Sequence, residues 1–330
     1  MGRTGTTEFR LRGAAVTALL LIVAGCGGGS TGMPTPTVST GEIERLADAA
    51  DTFAREHLEA WPDVDAVVAD EYADGYRFAD PTWSDYRAGS DNVIAMLRMW
   101  ESITDYRTEV TGQYVSTTGM AFEQSWPGLQ PPLPLPANPP VASGLTVLEF
   151  DAGALKREDL WYRAEDDVAY GIGCFAVDDC PAFEDIVDRY VAAWAAGDSG
   201  SIAALYAEDA TFTDTLLGLE ASDARAIGGL ADRRFGSSVV TIEVLDLYAW
   251  TDGITAPTEG NPDAGRLIGI AIHYRATVDG EPGAQEAITT LELGIRTNRF
   301  DADPEGLIHR EVVYHQPDVL LELVSLANEP

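Results

Sequence analysis

Trp61, Tyr72–Ala73, Phe78 and Asp80 return in the same order as Trp194, Tyr206–Ala207, Phe212 and Asp214, each 133 or 134 residues later. A second series follows: Phe150–Asp151–Ala152, Arg157–Glu158 and Tyr162 match Phe300–Asp301–Ala302, Arg310–Glu311 and Tyr314 at offsets of 150 to 153. Chance does not hold an offset across residues of such different chemistry. Two copies of one unit are expected, far fewer than a solenoid stacks. A chain of 330 residues gives each copy enough length to bury its own core.

The clearest stretch runs from Asp188 to Asp214, DRYVAAWAAGDSGSIAALYAEDATFTD. Ile186, Val187, Tyr190, Val191 and Trp194 form an apolar stripe at helical spacing, with Asp185, Asp188 and Arg189 opposite, which predicts a helix over 183–196. Gly197 suits its C-terminal stop. Ser199 or Ser201 can cap a second helix through Leu205 and Tyr206, and the alternation over 210–214 reads as a strand. The first copy predicts a helix over 43–61 ended by Pro62, a short helix over 64–72, a strand over 76–80 and a third helix over 91–100. Strands follow near 107–116, 120–126, 145–150 and 158–163. The second copy adds a helix over 222–234 and strands near 238–250, 266–278, 286–299 and 307–316. Helices followed by strands with hairpin-length connections define an α+β class with a mostly antiparallel sheet.

Pro127 to Pro140 is too rich in proline for sheet or helix and reads as a polyproline-like loop, either a stiff exposed hairpin extension or a docking segment. Thr251 to Gly265 reads as a surface loop.

Charge narrows the partners. The formal net charge is −33 and Lys156 is the only lysine, which argues against an electrostatic footprint for nucleic acid or anionic lipid head groups. The N-terminus carries Arg3, Arg10 and Arg12, an apolar run from Ala14 to Ala24, then Val23–Ala24–Gly25–Cys26. This resembles a bacterial lipoprotein signal, which implies export and diacylglyceryl attachment at Cys26 to the outer face of a membrane. The expected organisation is a signal peptide over 1–26, a flexible tether over 27–41, a first domain over 42–165, a linker over 166–181 and a second domain over 182–330. Cys174 and Cys180 flank Asp178–Asp179 in the linker, and outside the cytoplasm such a pair oxidises to a disulfide that fixes the joint. A small loop of this kind stabilises by about 2 kcal/mol.

On DRYVAAWAAGD and IAALYAEDATFTD, the second half resembles the SnoaL-like and ketosteroid-isomerase-like branch of the nuclear transport factor 2-like superfamily, and the first half resembles it more weakly. The resemblance implies two cones, each a curved sheet around three helices with an apolar pocket for a small hydrophobic ligand. It places Tyr190 where the isomerases hold the oxyanion-stabilising tyrosine and Asp214 where they hold the proton-shuttling carboxylate. In the first half His57 takes the tyrosine's place and Asp80 the carboxylate's. The isomerases' second acid is replaced near Arg296, with Thr146 in the first half. Tyr190 and His57 also fit as hydrogen-bonded core residues, and Asp80 and Asp214 as turn residues at strand ends. His309, Glu311 and His315 share one face of the last strand, but no further ligand can be placed beside them, so no metal and no cofactor are expected.

Three functions fit: an envelope lipoprotein binding a small apolar ligand or a protein partner; an isomerase, cyclase or dehydratase using Tyr190 and Asp214; and a purely structural lipoprotein. The halves are expected to pair within the chain as a pseudo-dimer, because Ile268, Ile270, Ile272 and Tyr274 occupy one face of a strand whose other face offers Leu267 and Ala271.

Overall fold

The computed structural model describes residues 36–60, 72–80, 85–88, 94, 95, 98, 107–127, 142–163, 180–235, 240–251, 267–279, 283–296, 300–302 and 306–327. Cys26, most of the Pro127–Pro140 loop, Cys174 and nearly all of the expected third helix lie outside them. Among the described residues no helix is long and apolar enough to cross a membrane.

Helix α1 (Thr40–Phe53) begins where the Ser39 hydroxyl accepts the Glu42 amide at 3.2 Å, and it buries Ile43, Leu46 and Ala50. The expected continuation to Trp61 changes character. Ala54–Leu58 widens into a π-helical turn, and this wider turn buries Ala54, His57 and Leu58 together. The tether expected to end at 41 is shorter, since the Thr37 amide donates to the Leu216 carbonyl at 2.8 Å and ties the approach to α1 to the second half.

The first-half strands are β1 (Tyr72–Asp80), β2 (Asp85–Ala88), β3 (Glu109–Val115), β4 (Gly119–Trp126), β5 (Ala142–Asp151) and β6 (Ala154–Arg163). The second half runs α2 (Cys180–Ala196), α3 (Ser199–Ala203), β7 (Tyr206–Asp214), β8 (Leu219–Ala221), α4 (Ala224–Gly228), α5 (Ala231–Phe235), β9 (Val240–Thr251), β10 (Leu267–Val278), β11 (Gln285–Glu292), β12 (Gly294–Arg296), β13 (Phe300–Ala302), β14 (Ile308–His315) and α6 (Pro317–Ala327). Strand β7 starts four residues before the expected 210, so the short helix ends at Ala203. The expected helix over 222–234 is broken in two at Gly228–Gly229. A Cβ on Gly228 would stand 2.3 Å from the Ser199 carbonyl oxygen, so the close approach of α4 to α3 requires glycine. Helix α6, not expected from the sequence, sends Leu320 and Leu323 into the same core as Ile43, Leu46 and Leu216. The end of the chain thereby completes the first half's core.

The class is α+β, with a large curved, mostly antiparallel sheet of twelve strands among the described residues. Its two parallel pairings repeat each other. Strand β1 lies beside β6 with Tyr72 opposite Leu155 and Phe78 opposite Glu158; β7 lies beside β14 with Tyr206 opposite Ile308 and Phe212 opposite Glu311. The same irregularity sits in both, between Tyr72 and Arg77 and between Ile308 and Arg310.

Strands β11, β10, β9, β6, β5, β4, β3 and β14 close on themselves, because β11 also pairs with β14. The seams are thin among the described residues: Val115 against His315, and Tyr162 and Arg163 against Ala249 and Tyr248. Between the two walls lies a core drawn from both, including Tyr114, Leu145, Trp161, Trp250, Ile288 and Tyr314, with the Trp161 and Trp250 rings 5.0 Å apart. Strand β10 is therefore buried on both faces, Ile270, Ile272 and Tyr274 toward the second-half helices and Ala271 toward the opposite wall.

Candidate functional site

The second-half core surrounds a carboxylate. Glu311 on β14 is fully buried, and both its oxygens are engaged: Oε1 accepts from Tyr190 at 2.7 Å, from Thr289 at 2.8 Å and from Arg234 at 3.1 Å, while Oε2 accepts from the Tyr206 hydroxyl. Helix α2 supplies Tyr190, β7 Tyr206, β11 Thr289 and α5 Arg234. The Arg234 guanidinium also donates to the hydroxyls of Tyr190 at 3.0 Å and Tyr274 at 2.9 Å. Its carbon lies 4.5 Å from the Trp194 ring centre and 5.1 and 5.2 Å from those of Phe212 and Phe235. An arginine so enclosed combines a charge pair with cation–π contact. Burial opposes its charge, but Tyr190, Tyr274 and Glu311 outweigh this and hold its pKa well above the usual value. Burial and the neighbouring Glu311 carry the Tyr190 hydroxyl well above the ordinary phenol range, although Arg234 pulls the other way.

Asp214 stands elsewhere. At the end of β7, completely buried, it faces His315 Nε2 at 3.0 Å and accepts the Leu217 amide at 3.1 Å. Tyr190 and Asp214 are thus each committed to another partner: the phenol to Glu311, the carboxylate to His315 and the turn after β7. His315 and Glu311, two of the three residues aligned on the last strand, are likewise taken up by side-chain partners, and no group of three metal-ligating side chains is found among the described residues.

In the first half Glu158 is the counterpart of Glu311. It accepts from the Tyr76 hydroxyl at 2.6 Å and lies 3.7 Å from His57 Nε2, all three residues being buried. The π-helical turn brings His57 there, stacked on Phe53 at 4.4 Å. Asp80 closes β1 opposite Asp85, and its side chain lies outside the description. Cys180 opens α2, and its side chain too lies outside the description. The residues missed by sequence reasoning are Arg234, Tyr206 and Thr289 as partners of Glu311. The signal that could have found the carboxylate was the repeated Arg–Glu pair at 157–158 and 310–311.

Beside the Arg234 cluster a crevice of about 210 Å³, counted with its open mouth, is lined by Tyr190, Val191, Trp194, Phe235, Ile242 and Ile272. Its walls are apolar and aromatic. Tyr190, Tyr274 and Arg234 also border it, but their polar atoms are engaged with one another and with Glu311, and no polar surface faces the crevice. With the side chains as they stand it has no room for a water molecule.

No family model and no curated protein matches this chain. Solved structures are similar to it in fold over part of its length. A SnoaL-like protein of unknown function from Burkholderia thailandensis is 22% identical and covers 34% of this chain and 93% of its own, with a TM-score of 0.28. A nuclear transport factor 2-like protein of unknown function from Burkholderia xenovorans is 21% identical over 37% of this chain and 84% of its own, TM-score 0.26. An LEH-like epoxide hydrolase from M. tuberculosis is 11% identical over 43% and 87%, TM-score 0.30.

Proposed function

We propose that this protein is an exported binding module, held at a membrane by a lipidated Cys26, whose second half takes the ring or acyl end of a small apolar ligand into the crevice beside Trp194. The two halves act as one body, a pseudo-dimer joined wall to wall. The observation that carries the reading is the lining of the crevice: aromatic and aliphatic side chains from Tyr190, Val191, Trp194, Phe235, Ile242 and Ile272, the apolar surface that predominates in ligand sites. Its size limits the ligand, because sites for drug-sized molecules run to roughly 300–1,000 Å³. As it stands the crevice admits not even a water molecule, so an end or a single ring enters only by displacing the Phe235 ring.

The engagement of Tyr190 with Glu311 and of Asp214 with His315 supports binding over proton transfer. A general base must reach the proton it removes, and here neither group faces open space. The closed state of the crevice favours one other reading, a structural lipoprotein with filled cores.

Titration of the full-length, detergent-solubilised protein with a neutral apolar fluorophore such as N-phenyl-1-naphthylamine separates the two. The binding reading expects saturable fluorescence that Ile272→Trp, which fills the crevice, abolishes. Fluorescence that is absent, or unchanged by Ile272→Trp, leaves the structural reading.

A further inference from the structure

We infer that the first half binds a small organic cation, of the alkyl- or arylalkyl-ammonium class, against Glu158. This goes beyond the apolar crevice of the second half and concerns a different cluster of buried polar side chains. The two halves bury equivalent carboxylates, Glu158 opposite Phe78 and Glu311 opposite Phe212, yet treat them differently. Glu311 is neutralised from within by Arg234, whose guanidinium sits among aromatic rings. Glu158 pairs with no arginine or lysine among the described residues. Its partners are the Tyr76 hydroxyl and, at 3.7 Å and so beyond hydrogen-bond reach, His57 Nε2. A buried carboxylate without a cation is costly, and a cation from solution relieves that cost.

The neighbouring threonines point the same way. Thr289 lies diagonally across from Glu311 on adjacent strands and donates to it at 2.8 Å. Thr146 lies diagonally across from Glu158 in the same manner, but its hydroxyl, 1% exposed, has no hydrogen-bond partner. One strand further, buried Gln124 holds an amide nitrogen that is also unpartnered. These atoms share the face of the sheet that carries Phe122 and Leu148 into the first-half core. Phe53, stacked on His57 and 6.0 Å from both Phe122 and Phe150, provides aromatic surface of the kind that Trp194, Phe212 and Phe235 offer Arg234. Among the described residues the first half thus keeps the carboxylate, the threonine and the rings but shows no arginine or lysine in the place of Arg234, only His57 at 3.7 Å. The net charge of −33 raises the local concentration of positive ligands and lowers that of anions.

Isothermal titration of the full-length, detergent-solubilised protein with phenethylammonium chloride, and with neutral 2-phenylethanol of nearly the same shape, tests the inference. The expected result is saturable binding of the ammonium at one per chain, with 2-phenylethanol at least tenfold weaker. Glu158→Gln, similar in shape, is expected to weaken the ammonium at least tenfold, and Thr146→Val, which leaves the carboxylate in place, severalfold. Equal binding of the two probes, undiminished binding by Glu158→Gln or Thr146→Val, or the absence of any binding heat from the ammonium would overturn the assignment.

Discussion

The guanidinium of Arg310 on β14 stands 2.6 Å from the carboxylate of Glu149 on β5, across the joint between the two walls. Its same-wall partner is Glu292, at 2.8 Å on the adjacent strand β11. Arg157 mirrors it, 3.2 Å from its own cross-strand neighbour Glu149 and 3.3 Å from Glu292 on the far wall. Each arginine therefore touches both glutamates, and the four side chains form one cluster across the joint.

Because the four charges act together, losing one leaves the others mismatched. Arg310→Ala is expected to destabilise the protein by about 1–3 kcal/mol, between the values for exposed and buried pairs, as its side chain is one-third exposed. Urea denaturation measures it. Arg157→Ala added to Arg310→Ala should cost clearly less than the sum of the single changes, and strict additivity would show that the cluster is not one unit.

Arg234 has no such latitude. Arg234→Met leaves Glu311 buried without its counter-ion and is expected to cost about 3–5 kcal/mol, whereas Tyr190→Phe removes one hydrogen bond and costs about 1–2 kcal/mol. Thermal unfolding of both variants gives the order. A Tyr190→Phe loss as large as that of Arg234→Met would mean that the phenol, not the guanidinium, holds the site together.

Two groups in the joint make stability depend on pH in the same direction. His273 Nδ1 lies 2.9 Å from Glu123, and Nε2 lies 3.3 Å from Glu286 and 3.0 Å from the Tyr114 hydroxyl; Tyr248 also bonds Glu123 and Arg275 bonds Glu286. Burial opposes the imidazolium, but Glu123 and Glu286 raise its pKa above 6.5. Its contribution is complete below that value and disappears as pH rises through the raised one. Burial pushes Asp159, beside Arg157, from 3.8 up to about 7, so its contribution is complete below 3.8 and is lost as pH rises through about 7. Unfolding midpoints should fall from mildly acidic to alkaline pH, and His273→Gln and Asp159→Asn should each flatten the slope. A midpoint that climbs over this range contradicts both assignments.

Much of the fold was legible because it depends on local pattern. The stripe of Ile186, Val187, Tyr190 and Trp194 needs only helical spacing, and the offsets linking Phe78 to Phe212 and Glu158 to Glu311 survive as paired strands with one register. The ring was not legible, since its seams rest on contacts as brief as Val115 with His315. Arg234 is simply the last residue of the helix expected over 222–234 and carries no expectation of its own. Its burial follows from the break at Gly228–Gly229, which redirects Ala231–Phe235 into the core. Tyr190 was read correctly as an inward-facing tyrosine, but its partner, Glu311, lies on a strand far along the chain.

The N-terminal address is open to direct measurement. Cys26→Ala is expected to release the protein from the membrane fraction or leave it as an unprocessed precursor. A wild-type protein found wholly soluble, without acyl mass on its N-terminal residue, would dispose of the anchor.

The binding account is tested most directly by native mass spectrometry of the protein extracted from its own membrane. The account predicts a species heavier than the bare lipidated chain by a small non-covalent molecule, released on denaturation and missing from Ile272→Trp. A spectrum holding only the bare chain in both proteins would contradict it and leave the second half a filled, structural core.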